Sequence, residues 1–382
     1  MNLTSFQMVG RSSAIVACAF PVLSRIFEAT LGIGKAHTMT PATQPLARLA
    51  TVSASRGATS LGERLASLDR FVRADLVDFE HELAAIPRGA RMVQQAAHHL
   101  LDLRGKHLRP LCVALGSRFG AGFTAEARGL ALAVELVHSA TLLHDDVVDL
   151  AERRRGQPAA CVVYGNAASI FAGDWLLVAA LRRISSANVP GLVDRMLTVI
   201  DEMILAESLQ LERRGKLCAN AREEYFKIVE GKTAALFRWA MVAGARVGGM
   251  AAAGEAALER YGLHLGVAFQ AVDDELDYQE HTGKDPLADL REGKITYPLV
   301  VALEREPALT PRLEALLAQE TPRMDDLAAI AAVVRSCGAL AATRKLAEEH
   351  VKKGLAALEE LPSGPAREAL VTVALASLER AS

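Results

Sequence analysis

Aromatic side chains make up only 5% of the 382 residues, and only 14 positions are proline. The bulk is aliphatic and alanine-rich over long proline-free stretches, which favours helices over sheets because Ala and Leu lose little freedom there. Cysteine is sparse as well. Cys18, Cys112, Cys161, Cys218 and Cys337 show neither CxxC nor CxxH spacing, so neither a zinc site nor a disulfide framework is suggested, and a reducing, cytoplasmic setting is expected. A net charge of −2 gives no global pull toward nucleic acid or anionic lipid, so any anionic ligand must be held locally. No run of about 18 apolar residues occurs, and no membrane-spanning helix is expected. Strand-like alternation and internal repeats are missing too.

What is present is ample apolar material, 51% of the chain, enough for a large core. Residues 1–58 are rich in Ser, Thr, Ala and Gly, lack sustained periodicity, and read as a disordered N-terminal extension. Within them "AIVACAFPVLS" (Ala14 to Ser24) resembles the apolar part of a secretory signal. Its flanks are weak and no small-residue cleavage site closes it, so an extension, or a start at Met39, is the simpler account. From Leu61 the pattern becomes helical and stays so. Turn signals such as "IPRGA", "RRRGQPAA", "HTGKDP" and "LREGKITYP" cut the chain into roughly a dozen helices. The expectation is one all-α domain over 59–382, with no linker marking a second.

Two of these helices end in acid. In "TLLHDDVVDLAERRRG" (Thr141 to Gly156), Asp145 and Asp149 are four residues apart with Asp146 adjacent; in "FQAVDDELDY", Asp273, Asp274 and Asp277 repeat the arrangement. Leu130, Val134, Val137, Thr141 and Asp145 fall on one helical stripe, apolar below and carboxylate on top. Gly262, Gly266, Phe269 and Asp273 fall on another. Like charges so spaced repel unless a cation sits between them. Carboxylate oxygens suit a hard ion that keeps waters, so Mg²⁺ is the first choice, its shell completed by substrate phosphate. One acidic cluster is more often a solvated face; two, each closing an apolar stripe, point to a shared metal-diphosphate site.

Basic residues flank both clusters. Lys106, His107 and Arg109 in "RGKHLRP" lie near the start of a helix, whose N-terminus adds positive potential for phosphate. Arg153, Arg154 and Arg155 follow the first acids, and their forked donors match phosphate oxygens. Lys232 and Thr233 in "GKT", with Lys284 and Lys294 after the second cluster, complete a set suited to a polyphosphate. The nucleotide phosphate loop fails as a rival: "LGIGKAHT" lacks the earlier glycine and a Ser or Thr directly after Lys35, and no strand precedes it.

Taken together, "GKHLRP", "LLHDDVVD" with "RRRG", "GNAASIFAGDWLL", "GKTAALF", "FQAVDDELDY" and "DLREGKITYPL" resemble the trans-polyprenyl diphosphate synthases over about residues 61 to 380. The resemblance implies a bundle of helices around a deep central apolar cavity, a homodimer, and both aspartate motifs at the cavity mouth. It implies about three Mg²⁺ ions bridged by substrate diphosphate, with Asp145, Asp149 and Asp273 as ligands and Asp146, Asp274 and Asp277 in support. Lys106, Arg109, His138 and Arg155 match the isopentenyl diphosphate positions. Arg154, Lys232, Thr233, Gln270, Lys284 and Lys294 match those around the allylic diphosphate, Lys232 also counting among the catalytic residues. Two departures stand out: Glu275 occupies a usually apolar place in the second motif, and Arg104 replaces the first glycine before Lys106. The short loop from Asp277 makes Lys284 the weakest match.

The implied reaction is ionisation of an allylic diphosphate and attack on the cation by the double bond of isopentenyl diphosphate, with apolar walls excluding water. The growing chain would lie along the α-helical stripe below Asp145. Ala140 and Thr141, about one turn below, are small, whereas a bulky aromatic there resembles short-chain enzymes. A long-chain product, octaprenyl or decaprenyl diphosphate for a quinone side chain, is therefore expected, with peripheral membrane contact only for product release. The rivals are a short-chain synthase making geranylgeranyl or farnesyl diphosphate, a class I terpene cyclase, and a non-catalytic subunit of a heteromeric synthase. Cyclases usually pair the first motif with an Asn/Ser/Glu triad, and such subunits typically lose the aspartates; here both aspartate sets are intact.

Overall fold

A computed structural model describes residues 59–103, 105–279, 286–319 and 321–379. The N-terminal extension, Arg104 and Lys284 lie outside the described residues. In chain order the helices are α1 (Thr59–Ala84), α2 (Met92–Leu101), α3 (Leu108–Ser117), α4 (Ala125–Val148), α5 (Ala160–Tyr164), α6 (Asn166–Ser186), α7 (Leu192–Arg213), α8 (Ala221–Val229), α9 (Ala235–Val247) and α10 (Ala252–Asp277). After these come α11 (Ala288–Arg291), α12 (Tyr297–Arg305), α13 (Thr310–Leu317), α14 (Met324–Ser336), α15 (Ala339–Leu358) and α16 (Pro365–Leu378). The all-α expectation holds, and no single described helix is long and apolar enough to cross a membrane.

The first acid-bearing helix, α4, starts where the sequence signals it. Thr124 caps it by accepting a hydrogen bond from the Ala127 amide at 3.3 Å, and Glu126 stands in the positively polarised first turn. Leu130, Val134 and Val137 are fully enclosed, while Thr141, Asp145 and Asp149 regain partial exposure at the other end. The apolar half of the stripe is thus core, and its last turns reach an opening.

The stripe on α10 has a different meaning. A Cβ on Gly266 would fall 2.5 Å from the Ala234 Cα, and one on Gly262 would fall 2.8 Å from the Phe237 carbonyl oxygen. These glycines let α10 press directly on the backbone at Ala234 and at Phe237 of α9; they are a contact surface, and beyond them Phe269 is half-buried.

Two local features were not expected. Residues Arg153–Arg154 (β1) and Gln157–Pro158 (β2) form a two-residue antiparallel ladder, Arg153 opposite Pro158 and Arg154 opposite Gln157. Arg155 (φ 52) and Gly156 (φ 80) both adopt positive φ, the requirement of a tight two-residue hairpin turn. Between α8 and α9, Glu230–Ala234 winds as a π-helical turn, the one-residue irregularity that helices often carry at functional sites.

Candidate active site

Both acid clusters open onto one mouth, and the π turn stands between them. Lys232, on that turn, pairs with Glu207 of α7 and donates to Gln210 Oε1 at 2.8 Å; its charge also acts on Asp145 and Asp149. Its neighbour Thr233 turns the other way, donating to Gln270 Oε1 of α10 at 2.8 Å. Gln270 Nε2 in turn donates to Asp274 Oδ1 at 2.8 Å, and Tyr225 Oη of α8 donates to Asp274 Oδ2 at 2.7 Å. Adjacent residues of one turn thus reach the two aspartate motifs.

Within the first motif each carboxylate has its own environment. Asp146 is buried and paired with Arg154, whose Nε donates to Asp146 Oδ1 at 2.8 Å; its Oδ2 has no hydrogen-bond partner among the described residues. Burial pushes Asp145 up to about 6, with Glu207 and Asp149 acting the same way against Lys232 and Arg154. Burial would also raise Asp149, yet Lys294, Lys232 and Arg214 hold it below the usual carboxylate range. Lys294 Nζ meets Asp149 Oδ2 at 3.0 Å, and Arg214 pairs with Oδ1.

The second motif divides similarly. Asp273 is partly exposed. Asp274 is buried and pushed up to about 8, chiefly by desolvation and then by Asp289. Asp277 braces the backbone. Its Oδ1 accepts from the Ala288 amide at 3.0 Å, and its carbonyl accepts from the Leu287 amide at 2.9 Å, tying α10 to α11. The departure at Glu275 is accommodated: it is buried and faces Arg344 of α15 at 3.7 Å, away from the cluster.

A second cationic group gathers around Glu135. Arg109, on the first turn of α3, lies over the Phe237 ring at 4.6 Å. Desolvation lowers it, while Glu135 and Asp273 oppose. His138 is held well below its ordinary range by burial and by Arg109. Arg155 Nη1 donates to the Leu103 carbonyl at 2.9 Å, near Lys106 in the chain. Glu135, one turn before His138, is the acid among these groups: buried in α4, it meets His107 Nδ1 at 3.0 Å. Although burial would raise it, His107, His138 and Arg155 bring it down to about 2.

Of the residues singled out above, the structure brings Asp145, Asp149, Lys232, Thr233, Gln270, Asp274 and Lys294 around one opening. Thr141 keeps partial exposure with its hydroxyl donating to the His138 carbonyl at 2.8 Å, but Ala140 is packed into the core. Glu135, Arg214 and Tyr225 escaped the sequence reading. Only Glu135 carried a signal, a lone acid in the apolar run "ALAVELVHSA", where an unpaired charge is costly.

The donor set fits a hard cation. Its oxygens are carboxylate, and Asp145 is crowded by Glu207 and Asp149, as expected of acids arranged for a cation. Among the described residues no three acidic or imidazole side chains converge into a ready-made metal cage. Mg²⁺ usually takes one or two carboxylates and draws the rest of its shell from phosphate and water.

Residues 90–334 match the family described as polyprenyl synthetase. An octaprenyl diphosphate synthase of Escherichia coli (strain K12) is 34% identical over 295 residues, 76% of this chain and 90% of the relative. A polyprenyl synthase from Caulobacter crescentus CB15, solved with calcium and isoprenyl diphosphate, superposes with TM-score 0.78 at 34% identity, covering 83% of this chain and 98% of that one. A decaprenyl diphosphate synthase from Rhodobacter capsulatus superposes with TM-score 0.74 at 31% identity, covering 88% and 100%.

Proposed function

The chain belongs to the polyprenyl synthetase family and is a prenyltransferase; from that premise we propose that it extends an allylic diphosphate with successive isopentenyl diphosphate units to a long-chain all-trans product. The observation that carries this reading is the π turn, whose Lys232 charge acts on Asp145 of the first aspartate motif and whose Thr233 reaches Asp274 of the second through Gln270.

Asp145, Asp149 and Asp273 would hold Mg²⁺, which when bound supplies Lewis-acid withdrawal of charge from the allylic diphosphate. Lys232 and Lys294 line one opening and, together with Arg154, would bind the outer phosphate oxygens. As the C–O bond breaks, their charges stabilise the departing diphosphate. Lys106, Arg109, His138 and Arg155 would seat isopentenyl diphosphate so that its double bond faces the allylic carbon. The new C–C bond forms, a proton leaves for the departed diphosphate, and the lengthened chain remains allylic for another round. The enclosed residues below Thr141 would keep water from the cation.

Relatives that make octaprenyl and decaprenyl diphosphate, together with the small side chain at Thr141, support a long product and use as a quinone side chain. Incubating the purified protein with isopentenyl diphosphate, several allylic primers and Mg²⁺, then sizing the products, tests this. Products longer than geranylgeranyl are expected; synthesis that stops at that length overturns the long-chain reading. Asp145→Ala and Asp273→Ala should each lower turnover by about a thousandfold or more, and full activity in either would sink the metal assignment.

The reading extends to a homodimer. On α7, Leu197, Ile204 and Leu211 recur every seven residues and are all exposed, and Phe171 and Val178 of α6 are exposed as well. Apolar stripes of this kind on a water-facing surface mark association sites.

A further inference from the structure

Arg214 lies directly after α7, in a stretch with no role in the reaction as derived so far. Its guanidinium pairs with Asp149 Oδ1, while Lys294 occupies Asp149 Oδ2 at 3.0 Å. Both oxygens of this carboxylate are therefore taken by cations. The two cations are delivered by segments fastened to each other: the Gly215 amide donates to the Gly293 carbonyl at 2.9 Å. Both glycines have positive φ, and a Cβ on Gly293 would fall 3.1 Å from the Gly215 nitrogen. Arg214 is thus held at a fixed place on the rim, lining the same cavity as Lys232, Thr233, Gln270 and Lys294.

The pairings are unequal in one respect. Lys294 has a second acid, Glu292, at 2.5 Å, and can stay neutralised when Asp149 is engaged elsewhere. Arg214 Nε, by contrast, is buried without a hydrogen-bond partner among the described residues, so the fork has donor capacity in reserve for a planar or tetrahedral oxyanion.

Resting on the reading of Asp149 as a metal ligand, we infer that Arg214 is a further diphosphate-binding residue, a cation held by Asp149 in the free enzyme and released to the phosphate oxygens when that carboxylate turns to metal. Two effects of opposite sign follow. In the free enzyme Arg214 competes for Asp149 and weakens metal binding; in the substrate complex it strengthens the grip on the allylic diphosphate. The metal site is then fully available only once a diphosphate is there to receive the arginine, which couples metal binding to substrate binding.

The test uses the full chain. Mn²⁺ alone is titrated into substrate-free protein and followed by electron paramagnetic resonance, for the parent, Arg214→Gln, Arg214→Lys, Asp149→Asn and the Arg214→Gln/Asp149→Asn double variant. Steady-state kinetics of the arginine variants accompany it. Arg214→Gln should bind Mn²⁺ about tenfold more tightly and raise KM for the allylic primer about tenfold, since one charge-assisted contact is of that order, with KM for isopentenyl diphosphate unchanged. Arg214→Lys should keep the weak Mn²⁺ binding, because it keeps the charge, and still raise the allylic KM, because it loses the fork. In the Asp149→Asn background the Mn²⁺ gain should vanish. If Asp149→Asn weakens Mn²⁺ binding while Arg214→Gln leaves it unchanged or weaker, the role of Arg214 is overturned and the metal reading stands. If Asp149→Asn leaves Mn²⁺ binding intact, the metal reading itself fails.

Discussion

Asp274 illustrates how a residue's surroundings define its role as much as its motif does. It is enclosed, and Tyr225 and Gln270 each donate to one of its oxygens. Tyr225→Phe removes one of these donors and leaves Asp274 Oδ2 without it, an expected loss of about 1–3 kcal/mol, read as a lower melting temperature. A variant as stable as the parent would show that the bond contributes little. The spacing of Asp145, Asp149 and Asp273 was legible in the sequence because motif and periodicity are local. The pairs His107 with Glu135 and Arg214 with Asp149 span 28 and 65 residues, and no local pattern encodes them. Asp277 was legible as an acid of the motif but not as the group that ties α10 to α11, since that depends on where the chain returns.

Helices were the most legible level, because turn residues and caps mark their ends, as Thr124 does for α4. The π turn was not: "EGKTA" has the composition of an ordinary helix, and the extra residue is set by what packs around it. The face of α10 bearing Gly262 and Gly266 reads in the sequence as an apolar stripe ending in Asp273, and in the structure it is a close contact with Ala234 and Phe237. Gly266→Ala should therefore destabilise by about 1–3 kcal/mol through overpacking against Ala234, checked by denaturant unfolding; an unchanged midpoint would contradict the close approach. Between α10 and α15, His264 and His350 meet with Nδ1 atoms 3.3 Å apart, and Phe226 stacks on His350. Burial, then His264, lowers His350 to about 4. In the unfolded chain it takes up its proton near 6.5, so between those values the unfolded state binds more protons and stability falls as pH falls. Asp145 and Asp274, both raised, act with the opposite sign in this window, so the contribution of His350 is read as a difference: in thermal melts from pH 7 to 4.5, the stability of the parent should fall relative to that of His350→Phe.

At the scale of the whole molecule, the sequence conveyed the fold class, but not which surface carries the exposed apolar stripe proposed to meet a second copy. Exposure decides that, and exposure is a tertiary property. Replacing Leu197 and Ile204 together by Lys should convert a dimer to a monomer in sedimentation velocity, with the helical content retained; an unchanged sedimentation coefficient would place the interface elsewhere. Helix α7 contributes at once to this surface through Leu197, Ile204 and Leu211, to the core through Met196, Val199 and Met203, and to the mouth through Glu207 and Gln210. Only the exposed polar strip Asp194, Thr198, Asp201, Ser208 and Glu212 is left outside these three roles. In a saturation-mutagenesis scan scored by growth, α7 should therefore be intolerant on its exposed apolar face as well as its buried one, with tolerance confined to that polar strip.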